Sequence, residues 1–232
     1  MLTDRMKEIL ESAEEAGWVM EPGAKTIFRE AGLPVTRFVW AKTLEEALTF
    51  TKEVGYPVVA KIVSPKVVHK SDVGGVVTGI RSDEEMRVAF ERLRTIDGFE
   101  GILVDEAVSG VELIMGAKND AQFGPVVLLG MGGTGVEVYN DVAIRMAPLE
   151  ERDVRDMLHC LKGAKLLKGY RGQPAIDLDG LTETLITFSR LIMDLASFFE
   201  SIDINPLMCM PERCVIADAR IILKTRGELQ SR

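Results

Sequence analysis

The segment 57–80, which reads PVVAKIVSPKVVHKSDVGGVVTGI, constrains the fold more than any other part of the chain. Its two ends, 57–62 and 76–80, are short apolar runs rich in β-branched residues, as is typical of buried strands. We predict that a basic loop joins them and closes over an anion, because backbone N–H groups beside glycine can approach phosphate oxygens and lysine neutralises their charge. A hairpin with a solvated basic tip fits equally well, since no GxxxxGK(S/T) motif is present. Between the two runs lie Lys66, His69, Lys70 and the pair Gly74-Gly75, in a loop too polar to belong to a core.

The composition predicts a soluble, globular, cytoplasmic protein. The 232 residues suffice for one large domain or two lobes, and 47% of them are hydrophobic while 28% are charged. No apolar run reaches the ~18 residues of a membrane span, and the acidic, amphipathic segment 1–17 is unlike a signal peptide. Cys160, Cys209 and Cys214 form no CxxC motif, which indicates a reducing compartment. The net charge of −8 argues against general nucleic-acid binding, although a local basic loop can still bind a nucleotide.

Helical and extended patterns alternate in the first part of the chain. The sequence TLEE, which begins at Thr43, is a capping box, and Ser82 caps a further helix in the same way. The predicted helices cover 1–17, 21–31, 43–54 and 82–94, and the extended segments cover 35–41, 57–62 and 76–80. This part of the chain is therefore a small mixed α and β lobe.

The second part of the chain is richer in strands. A helix over 148–158 begins at Pro148, which suits a first-turn position, and the most regular helix covers 181–198, after a connection over 163–174. The predicted strands cover 102–106, 111–118, 125–131, 136–138, 142–146, 201–207, 215–218 and 221–223. We predict an α+β protein of two lobes, 1–104 with the N-terminal helices and the basic loop and 105–232 with the larger sheet, hinged near 106–110.

Carboxylate and amide side chains cluster on two neighbouring strands near the C-terminus. Asp203 and Asn205 are two residues apart and therefore lie on one side of their strand. Asp218 ends the next short strand, and the turn Pro211-Glu212-Arg213 lets the two strands pair, which brings Asn205 beside Asp218. Such oxygen ligands, with open positions left for phosphates, suit Mg²⁺. Alternatively, each of the three residues is an ordinary polar turn residue at the end of a strand.

Five blocks of sequence resemble one family, and together they cover nearly the whole chain. The blocks are PVVAKIVSPKVVHKSDVGGV, VDEAVSGVELIMGAKND, FGPVVLLGMGG, DVAIRMAPL and DINPL, in the order found in that family. They resemble the ATP-grasp β subunit of ADP-forming acyl-CoA (acetyl-CoA) synthetases, which are relatives of the succinyl-CoA synthetase β subunit. The resemblance implies an ATP-grasp fold with the nucleotide held between two α+β lobes. It also implies the reaction acetyl-CoA + ADP + phosphate ⇌ acetate + ATP + CoA.

The resemblance implies a role for each matched residue. The residues implied to bind ADP or ATP are Lys61 at the phosphates, Val68, His69 and Lys70 in the lid over them, Glu106 and Val108 at the adenine, and Glu112 at the ribose. Asn205 and Asp218 resemble the Mg²⁺ ligands, while Asp203 stands where some relatives carry Glu. Arg145 resembles a contact to phosphate or to the transition state, and it is equally compatible with an ordinary surface arginine.

His69 and one glycine-rich turn are open to more than one interpretation. In the resembled family the lid histidine, here His69, relays phosphate between a phosphohistidine on the partner subunit and the nucleotide. Imidazole suits such a role because its neutral nitrogen is a nucleophile near pH 7, although a loop histidine is often only a solvated side chain. His159, within an amphipathic helix, is assigned to packing. Either a phosphate-binding nest or a plain tight turn fits Gly130, Gly132, Gly133 and Gly135.

The reaction implied by the resemblance needs parts that this sequence lacks. No Rossmann motif for coenzyme A is present, because the GxGxxG match GMGGTG at 130–135 lies between two predicted strands and does not open a helix, and there is no phosphohistidine domain. The resemblance therefore implies an α subunit that carries both, in an α2β2 heterotetramer, while this chain supplies the nucleotide half. The alternatives are a stand-alone ATP-grasp carboxylate ligase that works through an acyl phosphate and a nucleotide-sensing regulatory subunit. The short segment after Asp218 leaves little chain for the acceptor pocket that a stand-alone ligase needs.

Overall fold

The computed structural model describes residues 1–133 and 141–224, which divide into two compact units. The small unit comprises Met20–Pro22 and Thr36–Val108. The large unit comprises Met1–Val19, Gly23–Val35 and the described residues of Ser109–Arg232. This division differs from the predicted boundary at 104/105, because most of the N-terminal helical region belongs to the large unit. Of the sequence predictions, Gly135 and the extended segment 136–138 lie outside the described residues.

The small unit is built on an antiparallel sheet with the strand order β2-β5-β3-β4. Its strands are β2 (Phe38–Ala41), β3 (Val58–Val63), β4 (Val76–Ile80) and β5 (Gly101–Glu106). Helices α3 (Leu44–Val54) and α4 (Asp83–Leu93) cover the sheet with apolar side chains such as Phe50 and Phe90. All six residues of β5 are buried, which agrees with its central place in the sheet.

Local capping chemistry explains where these two helices begin. The Thr43 hydroxyl accepts a hydrogen bond from the backbone N–H of Glu46, and the Glu46 carboxylate accepts one in return from the N–H of Thr43. The Ser82 hydroxyl accepts a hydrogen bond from the N–H of Glu85. Each contact satisfies an N–H group that has no partner within its helix. The structure therefore confirms both helix starts that the sequence predicts.

The predicted hairpin over 57–80 forms, with Lys61 of β3 opposite Val76 of β4. The connecting loop contains a 3₁₀ turn at Ser71–Val73 and then the left-handed Gly74, with φ of 64°. At Gly75 a Cβ atom would lie 2.4 Å from Ile62 Cγ2, so only glycine fits against β3 at this point. The loop glycines thus serve a turn and a close backbone approach.

The large unit contains a sheet with the order β1-β11-β9-β6-β7-β8, and β10 pairs with β9 outside this path. Within the described residues, the neighbouring strands of this sheet pair in antiparallel orientation. Its described strands are β1 (Trp18–Val19), β6 (Val111–Asp120), β7 (Gly124–Met131), β8 (Val142–Met146), β9 (Phe199–Cys209), β10 (Cys214–Ile216) and β11 (Ala219–Leu223).

The first two helices belong largely to the large unit because their apolar side chains pack in its core. Met6 and Leu10 of the first helix and Ile27 and Phe28 of the second are buried in the same apolar core as β9 and β11. The Phe28 ring also meets Phe188 edge to face, with 6.2 Å between the ring centroids. The helices of this unit are α1 (Asp4–Ser12), α2 (Glu21–Glu30, whose first two residues belong to the small unit), α5 (Glu151–Cys160), α6 (Ala164–Leu167) and α7 (Leu178–Asp194).

Helices α5 and α7 begin at other residues than the sequence predicts, and α1 covers Asp4–Ser12 rather than the predicted 1–17. Helix α5 begins at Glu151 and not at Pro148, because the N–H of Glu150 donates to the Asp153 carboxylate at 2.9 Å and sets the start there. Helix α7 begins at Leu178 and not at 181, because Asp177 caps it by accepting from the N–H of Gly180. None of the helices in the described part of the chain has the length and apolar character needed to span a membrane.

Candidate functional site

Lys61 and Lys70, the two lysines predicted to bind phosphate, contact a single buried carboxylate in the small unit. Lys61 Nζ lies 2.6 Å from Glu21 Oε1, and Lys70 Nζ lies 2.6 Å from Glu21 Oε2. Lys61 Nζ also lies 3.2 Å from Asp105 Oδ2. The side chains of Lys61 and Glu21 are only 9% and 2% exposed. We call these four residues the Glu21 cluster.

Strand pairing and one hydrogen bond position the members of the Glu21 cluster. In the β3–β5 register Lys61 lies opposite Leu103, two residues before Asp105, so Lys61 and Asp105 project from the same face of the sheet. The hydroxyl of Thr36 donates to Asp105 Oδ1 at 2.7 Å and holds that carboxylate in place. Glu21 is the first residue of α2, where a carboxylate is also favoured by the helix dipole.

The lid residues that follow β3 differ sharply in exposure. Val68 is 42% exposed and His69 is exposed, whereas Lys70 is drawn inward by Glu21. The exposed imidazole of His69 can therefore be reached by another molecule without rearrangement of the core. This geometry permits a carrier role and equally permits the solvated side chain that the sequence left open.

At the end of β5 the carboxylate of Glu106 is bound by Arg37. It accepts hydrogen bonds from the Arg37 backbone N–H at 3.0 Å and from Arg37 Nε at 2.8 Å. The Glu106 N–H donates in turn to the Arg37 carbonyl at 3.0 Å, so the two residues are joined through backbone and side chain. Val108, the other residue predicted at the adenine, is half-buried just beyond the strand.

Glu112 lies in the large unit, exposed near the start of β6, beside a cleft of about 430 Å³. The N–H of Gly132 donates to the Glu112 carbonyl at 2.7 Å, and a Cβ atom on Gly132 would lie 2.7 Å from the carbonyl carbon of Glu112. Gly132 is therefore required for close packing, and its N–H is engaged within the protein rather than directed at a phosphate. The cleft is lined by Gly110, Val111, Glu112, Met131, Gly132, Gly133, Leu166, Tyr170 and Gln173.

The structure brings Asn205 and Asp218 together, as the predicted strand pairing requires. The N–H of Asn205 donates to the Asp218 carbonyl at 3.3 Å, and the N–H of Ala217 donates to the Pro206 carbonyl at 3.0 Å. Asn205 is exposed and Asp218 is half-buried. We call this pair the Asn205–Asp218 edge.

The chemistry of this edge suits Mg²⁺. An amide oxygen and a carboxylate are hard ligands, and Mg²⁺ commonly takes one or two protein oxygens while water and substrate phosphates fill its other positions. No group of three or more His, Cys, Asp or Glu side chains within the described ranges could hold a metal ion by itself. Asp203 shares the exposed face of β9 with Asn205, but its carboxylate lies 3.9 Å from Arg220 Nη2.

Two predicted residues lie apart from this edge. Arg145 is on β8, three strand positions from β9 and thus roughly 14 Å along the sheet. Its guanidinium donates to the Ile144 carbonyl at 2.9 Å, and it is half-buried. The assignment of His159 to packing is wrong, because His159 is exposed while Val154 and Met157 form the buried face of α5.

The residues that contact the predicted ones were not themselves predicted from the sequence. Asp105 carried a usable signal, since it is an acidic residue within the buried run GILVDE of β5. Glu21 and Arg220 carried none, because an acid in the first turn of a helix and an arginine at a strand are ordinary. Their roles depend on contacts between segments distant in sequence.

Comparisons with known proteins agree with this fold. A family model described as ATP-grasp domain matches residues 11–223. The β subunit of acetate–CoA ligase (ADP-forming) I from Pyrococcus furiosus is 38% identical over 228 residues, which cover 94% of this chain and 98% of that protein.

Two solved structures of Ca. Korarchaeum cryptofilum dinucleotide-forming acetyl-coenzyme A synthetase 1 are also similar. One, in complex with coenzyme A, Ca-AMPCP and HgCl⁺, has a TM-score of 0.88 and 43% identity, over 94% of this chain and 99% of that chain. The other contains coenzyme A and Mg-AMPPCP, with a phosphohistidine segment pointing towards the nucleotide-binding site. It has a TM-score of 0.83 and 40% identity, over 94% of this chain and 100% of that chain.

The fold is that of an ATP-grasp protein. It has two mixed α and β units, and the ATP-grasp family model matches nearly the full length of the chain. The chain belongs to the ATP-grasp family, in the group formed by the β subunits of ADP-forming acetate–CoA ligases.

Proposed function

We propose that this chain is the nucleotide-binding β subunit of an ADP-forming acetate–CoA or acyl-CoA ligase. The overall reaction is acetyl-CoA + ADP + phosphate ⇌ acetate + ATP + CoA, and this chain transfers the phosphoryl group between a phosphohistidine and ADP. The observation that carries the proposal is the pair of lysines, Lys61 and Lys70, that a single buried carboxylate holds side by side. Paired ammonium groups of this kind suit a polyphosphate.

Each predicted residue has a proposed role in binding the nucleotide. In the small unit Lys61 and Lys70 neutralise the phosphates, while Glu106 and Val108 contact the adenine. In the large unit Glu112 binds the ribose, and Arg145 contacts a phosphate. Asn205 and Asp218 hold Mg²⁺, which when bound neutralises charge on the phosphate oxygens.

His69 carries the phosphoryl group in the lid. A nitrogen lone pair of its imidazole attacks the phosphorus of the partner's phosphohistidine, so that one N–P bond forms as the other breaks. A terminal oxygen of ADP then attacks the same phosphorus, and the His69 N–P bond breaks to give ATP. The exposure of His69 supports this role, because both donor and acceptor must reach it.

The second subunit supplies coenzyme A binding, acyl transfer and the phosphohistidine. Two findings support it: the Pyrococcus furiosus relative is named as a subunit β, and one similar structure contains a phosphohistidine segment directed at its nucleotide site. We propose an α2β2 assembly in the cytoplasm. The chain alone then binds ADP but completes no turnover.

A reconstitution experiment tests the division between subunits. The purified chain should bind ADP in calorimetry and form no ATP from acetyl-CoA, ADP and phosphate until the α subunit is added. ATP formation by the chain alone would contradict the proposal and favour a stand-alone carboxylate ligase that works through an acyl phosphate.

The carrier role of His69 needs its own variants. His69→Ala should still bind ADP, and the α subunit should still become phosphorylated from acetyl-CoA and phosphate, but ATP formation should stop. His69→Gln is the matched control, because glutamine keeps a hydrogen bond and cannot carry phosphate. ATP formation retained in either variant would exclude the relay.

A further inference from the structure

One carboxylate contacts both phosphate lysines of the proposed function. Each Glu21 oxygen lies 2.6 Å from a different ammonium group, Oε1 from Lys61 and Oε2 from Lys70. Lys61 has a second acidic neighbour in Asp105, at 3.2 Å, whereas the carboxylate of Glu21 joins both lysines. Glu21 thus fixes the spacing between the two cations.

The formal charges of the named groups balance, with two lysines facing two carboxylates. A phosphate that approaches these lysines brings negative charge close to Glu21 and Asp105, in a region of low exposure where charges interact strongly. The lysines therefore cannot give their full attraction to the nucleotide, since part of it is already used within the protein. Loss of the Glu21 charge would remove one of the anions that contact the two lysines, and the phosphates of a nucleotide could then attract both ammonium groups more strongly.

We propose that Glu21 is a positioning residue that acts as an internal counter-anion, competing with the nucleotide phosphates for Lys61 and Lys70. The inference rests on the proposed assignment of these lysines to ADP and ATP. Glu21 does not contact the nucleotide itself. It holds the two ammonium groups at a fixed spacing before the phosphates arrive, and it limits the affinity so that the product nucleotide is released.

Glu21→Gln tests this role, because it keeps the shape of the side chain and removes its charge. In the full chain, ADP should bind about tenfold more tightly by calorimetry, while adenosine should bind as it does to the parent chain. With the α subunit present, the KM for ADP should fall, and kcat should fall with it as ATP leaves more slowly. A residue of merely structural importance would weaken ADP binding or leave it unchanged, and either result would overturn the inference.

The matched control is Asp97→Asn. Asp97 pairs with another lysine of the same loop, Lys66, but this pair is exposed, with side chains 81% and 63% accessible. Removing its charge should leave the affinity for ADP within twofold of the parent. A gain equal to that of Glu21→Gln would mean that overall charge, not the Glu21 contact, controls the affinity, and would contradict the proposal.

Two further variants cover the remaining cases. If Glu21→Gln does not fold, Glu21→Asp keeps the charge but is one methylene shorter, so it cannot reach both lysines, and ADP affinity should rise by a smaller factor. An unchanged or weakened affinity in folded Glu21→Asp would then overturn the inference. Lys61→Gln separates this inference from the proposed function: if Lys61→Gln leaves ADP affinity unchanged, the lysine assignment itself fails. If it weakens ADP while the Glu21 variants gain nothing, only the counter-anion role fails.

Discussion

The Glu21 cluster and the Asn205–Asp218 edge hold their polar side chains in place by different means. In the Glu21 cluster, side chains from separate segments contact one another in a buried setting, and Lys61 is only 9% exposed. At the Asn205–Asp218 edge, backbone hydrogen bonds between neighbouring strands set the positions, and the Asn205 side chain is exposed. The first region depends on its ion pairs for stability, whereas the second depends on strand register.

This difference predicts which substitutions affect folding and which affect ligand binding. A buried ion pair that loses one member leaves an uncompensated charge and destabilises strongly. When backbone hydrogen bonds set the position of a strand, a carboxylate side chain on that strand can be substituted without loss of the strand. Substitutions of the lysines in the Glu21 cluster should therefore reduce both stability and nucleotide binding, and substitutions at the edge should mainly reduce metal-dependent binding.

Lys61→Met should give the largest effect on stability. It leaves the buried carboxylates of Glu21 and Asp105 without their shared cation, so we expect the free energy of unfolding to fall by about 3–5 kcal/mol in denaturant titrations. Lys66→Met is the control, since its exposed pair with Asp97 is worth less than about 1 kcal/mol. Equal losses in the two variants would show that burial does not set the difference.

The Asn205–Asp218 edge could be predicted from sequence because its causes are local. Strand spacing placed Asn205 on one face, and the turn at 211–213 allowed β9 and β10 to pair. The capped helices that begin after Thr43 and Ser82 were predictable for the same reason. Each of these features depends on residues within a few positions of one another.

The Glu21 cluster could not be predicted, because its members come together only in the fold. Glu21 and Lys61 are 40 positions apart, and Thr36 and Asp105 are 69 apart. In the sequence, Glu21 looks like an ordinary acid at the start of a helix. The same reason explains why the unit to which the N-terminal helices belong could not be predicted. From the sequence their apolar faces could pack in either unit, and only the fold shows that they pack in the core of the large one.

Asp218→Asn should have the largest effect on metal-dependent binding. It replaces a charged ligand by a neutral one at the proposed Mg²⁺ site, so ADP affinity in the presence of Mg²⁺ should fall on the order of 100-fold. ADP affinity in EDTA should change little, which is the internal control for calorimetry. The free energy of unfolding should fall less than in Lys61→Met. A variant that keeps its Mg²⁺-dependent ADP affinity would remove Asp218 from the metal site.

Thr36→Val should have a moderate effect on stability. Valine has nearly the same shape, but it cannot donate the 2.7 Å hydrogen bond to Asp105. A buried hydrogen bond to a charged group contributes about 1.5–3 kcal/mol, and we expect a loss near the lower end because Lys61 still faces Asp105. Thr36→Ser is the control, since it keeps the hydroxyl. If serine destabilises as much as valine, the packing of the methyl group and not the hydrogen bond is responsible.

Asp203→Asn should have the smallest effect, although Asp203 is only two residues from Asn205. Its side chain is 52% exposed, and its partner Arg220 lies 3.9 Å away, a geometry worth about 0.2–1 kcal/mol at the surface. Because Arg220 offsets part of the charge of Asp203, we propose that Asn205 and Asp218 hold the metal without Asp203. Mg²⁺-dependent ADP affinity in Asp203→Asn should therefore stay within about threefold of the parent chain in the calorimetric titration used for Asp218→Asn. A loss as large as that of Asp218→Asn would place Asp203 among the metal ligands.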